Sequence, residues 1–190
     1  DGDIEIFTII AAGGASDLGA GNGFGADAIT ITVNATSDLD LGSTAQFIAS
    51  TNFDASDSTA AVTAVFAAKT TASETAVTIK GGAGADKFDI RTFTAEENFG
   101  DLIVDMGDGN DTLYLGEVAD TDTGSSIKGG SGDGDILIIS GNALAAEVNS
   151  QISEFEILNI ETTGLTQDAD NFGGTIFGTA AAIAEMRIDN

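Results

Sequence analysis

The sequence contains no cysteine, histidine, proline or tryptophan. The absence of cysteine excludes disulfide bonds and thiol nucleophiles. The absence of histidine removes the most common general base of enzymes and the most common ligand of transition metals. Zinc and copper sites depend on these two residue types, so we do not expect either metal in this chain.

Positive charge is also scarce, since 6 lysines and arginines accompany 31 aspartates and glutamates, for a formal net charge of −25. Nucleic acids and anionic membrane surfaces bind basic faces, so neither is expected as a partner. No apolar run reaches the roughly 18 residues of a transmembrane segment, and no cleavable signal is visible. A bound cation is expected instead, and oxygen ligands without soft ligands select calcium or magnesium.

Glycine is abundant, with 25 residues, and part of it belongs to a repeated ten-residue segment. The four copies are NGFGADAITI (22–31), GGAGADKFDI (81–90), MGDGNDTLYL (106–115) and GGSGDGDILI (129–138). Glycine occupies positions 2 and 4 of every copy, and position 6 of the first three is aspartate: Asp27, Asp86 and Asp111. In the fourth copy position 6 is Gly134, which leaves its side-chain ligand open between the flanking Asp133 and Asp135.

Apolar residues alternate on both sides of this acidic glycine turn. We predict that the side chains at positions 8 and 10 face inward: Ile29, Phe88, Leu113 and Ile136, then Ile31, Ile90, Leu115 and Ile138. Stacked units of about 24 residues would cover one another's apolar faces. The sequence therefore predicts an all-β fold, a parallel β-solenoid of the β-helix or β-roll type, with irregular loops and room for short helices.

The turn has the composition of a site for a hard cation. Its glycines allow positive φ and close backbone packing, so carbonyl oxygens can point into a small volume. The aspartate adds a carboxylate, and two stacked turns together can offer the six to eight oxygens that Ca²⁺ takes. The candidate site residues are Gly23, Gly25, Asp27, Gly81, Ala83, Gly84, Asp86, Asp105, Gly107, Asp108, Gly109, Asp111, Gly129, Ser131, Asp133 and Asp135. Two alternatives stay open: Asp105, Asp108 and Asp133 are ligands or solvated loop residues, and the turns are cation sites or structural corners only.

Position by position, segment 81–89 resembles the glycine- and aspartate-rich nonapeptide of RTX proteins, a calcium-binding β-helix repeat. The copies that begin at 22 and 106 lack its first glycine, because Asn22 and Met106 replace it. The copies are not tandem, and this spacing is similar to that of RTX-bearing surface-layer and exported matrix proteins of bacteria. The resemblance covers about 40 residues in the motifs. It implies calcium-triggered folding outside the cell after type I secretion.

The repeats divide the chain into four parts, which belong to one continuous domain or to a fragment of a longer chain. Residues 1–35 hold the first coil, 77–140 the calcium-binding β-roll core, and 141–190 further stacked strands with a loop or short helix. In the last part, ISEFEILN (152–159) matches IAEMRIDN (183–190). Residues 36–76 are rich in Ala, Ser and Thr and are either an insertion or additional coils; within them, 60–69 favours neither helix nor strand.

Composition and resemblance lead to one main functional hypothesis. It is an extracellular structural protein of the bacterial cell surface, whose calcium-dependent solenoid assembles with copies of itself into a surface layer, filament or matrix. Cell-surface polysaccharide is a further candidate partner. The alternative is a calcium-binding module of a secreted adhesin or enzyme, which aids folding after export or contacts a ligand. Carboxylate pairs alone can hydrolyse glycosides, but the sequence assembles no acid–base constellation, so we do not expect an enzyme.

Overall fold

The structure, a computed structural model, describes residues 6–17, 30–42, 52–67, 75–93, 100–116, 124–140, 151–161 and 185–189, the last range by its backbone only. These residues form two β-sheets, and this described part of the chain contains no helix. The first sheet contains β1 (Ile6–Ala11), β3 (Thr30–Ala35), β5 (Asn52–Asp54), β7 (Val77–Lys80), β9 (Leu102–Asp105), β11 (Ser126–Lys128) and β13 (Ile152–Ser153). The second contains β2 (Ser16–Asp17), β4 (Leu39–Asp40), β6 (Val62–Val65), β8 (Lys87–Asp89), β10 (Thr112–Leu115), β12 (Ile136–Ile139), β14 (Ile157–Glu161) and β15 (Glu185–Asp189).

The chain alternates between the two sheets from β1 to β14, so each coil contributes one strand to each sheet. Neighbouring strands are parallel, as in the pairing of Val77 with Leu102 in the first sheet and of Lys87 with Thr112 in the second. A hairpin cannot join parallel neighbours, which need a long crossover. Here the strand in the opposite sheet is part of that crossover, and the predicted all-β parallel solenoid is confirmed.

The core lies between the two sheets and follows the predicted alternation. In β9, Leu102 and Val104 are buried whereas Ile103 between them is partly exposed. Three phenylalanines, Phe53, Phe66 and Phe88, meet edge to face with ring centroids 4.9–5.6 Å apart. Such pairs add about 0.5–1.5 kcal/mol each beyond the burial of their surface, so the aromatic cluster stabilises the packing of two successive coils, β5–β6 and β7–β8.

The register of the fourth copy differs from the expectation. In the pairing of β10 with β12, Leu113 lies beside Leu137, and Leu115 lies beside Ile139. Leu137 is fully buried and Ile136 only partly, so the inward position predicted for Ile136 belongs to Leu137. The reason is one additional residue in this turn, which shifts the strand that follows by one position and so exchanges its two faces.

Other parts of the chain were less defined by their sequence. Strands β4, β5 and β6 come from the 36–76 region and belong to both sheets, and β6 lies within the ambiguous segment 60–69. The loops or short helices expected before the two matching segments of the last part, at 141–151 and 177–182, lie outside the described residues except for Gln151. In the residues that the structure covers, no helix is long and apolar enough to cross a bilayer.

The outer face of the first sheet carries a column of alternating charges. Lys80 is paired in register with Asp54 on one side and Asp105 on the other, and Asp105 is paired in turn with Lys128. Opposite charges on neighbouring strands contribute roughly 0.2–1 kcal/mol per pair. The column therefore places two of the chain's few lysines where they favour the observed stacking of coils.

Candidate metal site in the glycine-rich turns

Three of the four predicted turns stack on one another at one edge of the solenoid. Segments 81–86, 106–111 and 129–135, here called the turn column, each connect a strand of the first sheet to a strand of the second. The N–H of Asp108 donates to the carbonyl of Gly82 at 2.8 Å, and the N–H of Ser131 donates to that of Gly107 at 2.7 Å. Gly107 and Gly130 have φ of 94° and 101°, where an L side chain is strained. A β-carbon at either position would also collide with a carbonyl oxygen of the preceding turn.

Each turn of the column ends in an aspartate with a buried carboxylate. A hydrogen bond connects each turn to the next, from the main-chain N–H of one aspartate to the carboxylate of the following one. Asp86 donates its N–H to Oδ1 of Asp111 at 2.7 Å, and Asp111 donates its own to Oδ1 of Asp135 at 2.8 Å. The pattern extends at both ends, because Val62 donates to Oδ1 of Asp86 at 2.8 Å and Asp135 donates to Oε2 of Glu156 at 2.9 Å. We name Asp86, Asp111, Asp135 and Glu156 the carboxylate ladder. One oxygen of each member caps the main chain of the preceding coil.

The second oxygens of the three aspartates differ in their surroundings. Oδ2 of Asp86 accepts a hydrogen bond from the N–H of Gly82 at 2.7 Å, so both oxygens of this group are bonded. Oδ2 of Asp111 and Oδ2 of Asp135 are shielded from solvent and have no hydrogen-bond partner among the described residues. A buried polar atom without a partner costs about 1–3 kcal/mol, and more when it is charged. We therefore expect each of these two oxygens to bind a proton or a cation.

Burial raises the pKa of all three ladder aspartates. The pKa of Asp111 rises to about 8; the hydrogen bond from Asp86 opposes this rise, and the charges of Asp86, Asp135 and Asp108 add to it. The pKa of Asp86 and that of Asp135 each rise to about 6, again mainly through burial, against the effect of their main-chain donors. Without a cation, the centre of the ladder therefore tends to hold a proton near neutral pH.

Main-chain carbonyl oxygens approach the same carboxylates. A β-carbon added to Gly81 would meet the carbonyl of Met106 and lie 2.6 Å from Oδ2 of Asp86. A β-carbon added to Gly132 would meet the carbonyl of Gly109 and lie 2.9 Å and 3.0 Å from the two carboxylate oxygens of Asp135. Beside each glycine, carbonyl and carboxylate oxygens thus border one small volume, which is the ligand mixture that Ca²⁺ takes. A groove of about 620 Å³ exposes this edge to solvent; its lining is Ala85, Gly109, Asn110, Ser131, Gly132 and Asp133.

The structure brings most of the predicted site residues into the turn column: Gly81, Ala83, Gly84, Asp86, Gly107, Asp108, Gly109, Asp111, Gly129, Ser131, Asp133 and Asp135. Asp108 and Asp133 are exposed within it. Asp105 lies at the end of β9, exposed, in the outer column of alternating charges. Gly23, Gly25 and Asp27 lie outside the described residues. In the chain they fall between β2 and β3, a connection from the second sheet to the first, opposite in direction to the three stacked turns.

The structure decides one choice that the sequence left open and adds one residue to the ladder. Of the two aspartates that flank Gly134, Asp135 takes the place of the sixth motif position, because the additional residue of that turn shifts the alignment. Glu156 was missed altogether, since it follows no glycine turn. Its signal was local: it stands directly before β14, as Asp135 stands directly before β12.

Within the described ranges, no three acidic side chains lie close enough to hold a metal ion by themselves. Carboxylates of the ladder would therefore need the main-chain carbonyls of the turns to complete a coordination shell. No protein-family model, no curated protein and no solved structure matches the chain.

Proposed function

We propose that the chain is an extracellular structural protein whose β-solenoid folds upon binding Ca²⁺ in the turn column. The observation that carries this proposal is the pair of buried oxygens of Asp111 and Asp135 that have no hydrogen-bond partner among the described residues. The carboxylate of Asp135 also lies beside the main-chain carbonyl of Gly109. In this proposal Asp86, Asp111 and Asp135 supply carboxylate ligands, and the main-chain carbonyl oxygens of Met106 and Gly109 are among the other ligands. The ion supplies positive charge where the coils meet.

Hydrogen bonding alone does not account for the ladder. An asparagine at each position would accept the same N–H bond without burying a charge, yet the ladder is made of acids. Buried charges are expected to be paired or to coordinate a metal. The ion pairs found in the described residues, Arg91–Asp89 and Lys128–Glu154, lie outside the ladder. A hard divalent cation is the partner that this arrangement of oxygens favours.

The acidic composition supports folding outside the cell. A chain with a formal charge of −25 resists compaction while its carboxylates are unpaired. A cation that binds the folded chain and not the unfolded one adds its binding free energy to stability. Extracellular calcium modules operate at roughly 0.1–1 mM, so such a chain would stay open in a calcium-poor cytosol and close after export.

Self-assembly into a layer, filament or matrix is the structural role that we propose for the folded solenoid. Its support is β1, which in the described structure lies at the edge of the first sheet and pairs with β3 alone. Ile6 and Ile10 of this strand are 68% and 75% exposed. An edge strand with apolar side chains is a template for pairing with another chain. The second candidate, a module of a larger secreted protein, requires the same calcium-dependent fold.

The test is a calcium titration of EGTA-treated protein, followed by far-UV circular dichroism with light scattering in parallel. We expect a disordered spectrum that becomes β-rich at roughly 0.1–1 mM calcium, together with rising scatter. Rising β content with flat scatter would leave calcium-dependent folding standing and favour the module over the lattice. A spectrum that is folded and unchanged in both EGTA and calcium would refute the proposed site.

A further inference from the structure

The edge of the first sheet at β1 differs from the other sheet edges in the described structure. β1 has six residues, Ile6–Ala11, and none of them is charged. The edge strands β2 and β13 have only two residues each, and the sequence of β15 contains three charged residues. Natural proteins protect sheet edges by short strands, charged side chains or proline. The edge at β1 has none of these protections.

The main chain of β1 presents hydrogen-bonding groups on the side away from β3. The carbonyl of Ala11 accepts the N–H of Thr36 at 2.9 Å, so every second residue of β1 directs its main-chain groups towards β3. The groups of Ile6, Thr8 and Ile10 alternate with these and point to the opposite side. In the described structure β1 pairs with β3 alone, so this row is a template for another strand.

The outer face of β1 is apolar and uncharged. Ile6 and Ile10 are the large apolar side chains that are exposed in the described residues, at 68% and 75%. Thr8 lies between them on the same face, because side chains two positions apart share one face of a strand. The residues of β3 in register with these three are also uncharged: Thr30, Thr32 and Asn34. In a chain with a formal charge of −25, copies repel one another least where such a face meets its like.

The residues of β1 are symmetric about Thr8. Ile6 and Ile10 stand two positions on either side of it, and Phe7 and Ile9 stand one position on either side, with their side chains on the inner face. An antiparallel second copy centred on Thr8 would therefore bring Ile6 opposite Ile10, and Phe7 opposite Ile9. Apolar residues directly opposite each other stabilise a sheet. The main-chain groups match as well, because residues that point to the open side meet residues of the same kind.

We propose that two copies of this chain pair through β1, antiparallel and about a two-fold axis at Thr8. This axis is perpendicular to the first sheet, so the sheet continues from one copy into the other with its outer face on the same side. The inference rests on the self-assembly that the proposed function includes, and it identifies one contact of that assembly. A two-fold contact uses the same surface of both copies and closes on itself. A layer or filament would therefore need another contact in addition.

Oxidative cross-linking tests the pairing, because the chain has no cysteine of its own. In a Thr8→Cys dimer the two cysteines form a hydrogen-bonded pair with Cα atoms about 5.5 Å apart, which a disulfide can bridge. Thr32→Cys is the matched control, since Thr32 lies beside Thr8 on the neighbouring strand. Across the dimer, three strand spacings of about 14 Å in total separate its two copies, beyond the reach of a disulfide. We expect Thr8→Cys to become mostly a covalent dimer in calcium and Thr32→Cys to remain uncross-linked on a non-reducing gel.

An exchange of charges tests the direction of the strands. Ile10→Lys places a lysine opposite Ile6 of the second copy, twice in each dimer. It should raise the dissociation constant of the dimer about tenfold or more, as measured by sedimentation equilibrium. Adding Ile6→Glu to the same chain places opposite charges across the antiparallel pair, so the double variant should recover most of the affinity. A double variant that dimerises no better than Ile10→Lys would contradict the antiparallel register.

The outcomes separate this pairing from the proposed function. Circular dichroism first shows whether each protein is folded in calcium. A wild type that stays unfolded in calcium refutes the proposed function and this inference together. A wild type that is folded with and without calcium refutes the calcium site, and cross-linking still decides the pairing.

Two results would overturn the pairing alone. A folded wild type that stays monomeric from roughly 10 μM to 1 mM, the range of weak association, excludes the second copy and favours the module. If the wild type associates but Thr8→Cys cross-links no more than Thr32→Cys, self-assembly stands and uses another surface. Should Thr8→Cys not fold, the exchange of charges at Ile6 and Ile10 decides.

Discussion

The substitution Asp111→Asn is expected to stabilise the calcium-free protein at neutral pH and to remove much of its response to calcium. Asparagine retains an oxygen that can accept the N–H of Asp86, a bond of 2.7 Å in the present structure. It removes a fully buried charge between two other carboxylates. The substitution therefore has two opposite effects. Without a cation, the charge of Asp111 destabilises the fold, so its removal stabilises the protein; with calcium, the carboxylate is a proposed ligand, so its removal weakens binding.

The magnitude follows from the pKa of Asp111, which rises from 3.8 to about 8. At pH 7.5 such a shift costs the calcium-free fold about 5 kcal/mol, at about 1.4 kcal/mol per pKa unit. The buried amide group of asparagine costs about 1–3 kcal/mol where it finds no acceptor. The net gain in the free energy of unfolding is therefore about 2–4 kcal/mol at pH 7.5 and close to zero at pH 5.

The assay is urea unfolding followed by circular dichroism in EGTA at both pH values, then in excess calcium. Sucrose, which favours the compact state, brings the calcium-free wild type into a measurable range if it is mostly unfolded. Asp57→Asn is the matched control, since Asp57 is exposed and lies outside the ladder. A variant that loses stability in EGTA at pH 7.5 contradicts the argument from buried charge. A variant that gains as much stability from calcium as the wild type contradicts ligation by Asp111.

Three further results are expected. In EGTA, the wild type should lose stability as pH rises from about 4 to 8, because the raised pKa values of Asp111 and Asp135 mean that the folded state binds protons more tightly than the unfolded one. Urea unfolding measures this stability, and a free energy of unfolding that increases over this pH range would contradict the prediction. Gly132→Ala places a β-carbon against the Gly109 carbonyl, and it should weaken calcium affinity about tenfold or more, at a cost of roughly 1–3 kcal/mol, in a titration followed by circular dichroism. Lys80→Glu puts a third negative charge into the outer column and should cost roughly 1 kcal/mol, less at 1 M salt; an effect that salt does not change would rule out the electrostatic cause.

The fold was predictable because one face of each strand is buried. Apolar residues two positions apart, such as Phe88 and Ile90, have to face the same way along a strand, and units of similar length stack in register. The sequence did not predict the alignment of the fourth copy, since both Ile136 and Leu137 are apolar and either suits an inward position. Only pairing with β10 distinguishes them.

The stacking of the glycine turns in the turn column was predictable from residue types, and the hydrogen bonds within the column were less so. Glycine and aspartate at fixed spacing indicated the turns, but not which oxygens the main chain already uses. The copy that matches the motif best, 81–86, contains the aspartate with both oxygens hydrogen-bonded. The unpartnered oxygens belong to the less regular copies, at Asp111 and Asp135. Hydrogen bonds between coils 24 or 25 residues apart decide this, and no local pattern contains them.

The direction of the ladder gives a physical reason for cooperative folding. Asp111 and Asp135 each hold the preceding coil with one oxygen, while the other oxygen of each has no hydrogen-bond partner among the described residues. A cation bound at Asp111 would therefore also hold the oxygen that caps Asp86, so one binding event orders two coils. The stability of a solenoid is a sum of intrinsic terms and of contacts between neighbouring coils. In this chain the ladder carboxylates of neighbouring coils repel one another, which weakens the contact between those coils. Since the same boundary carries both the repulsion and the proposed ligand, we expect calcium-free coils to separate along the ladder first and calcium to close several coils in one transition.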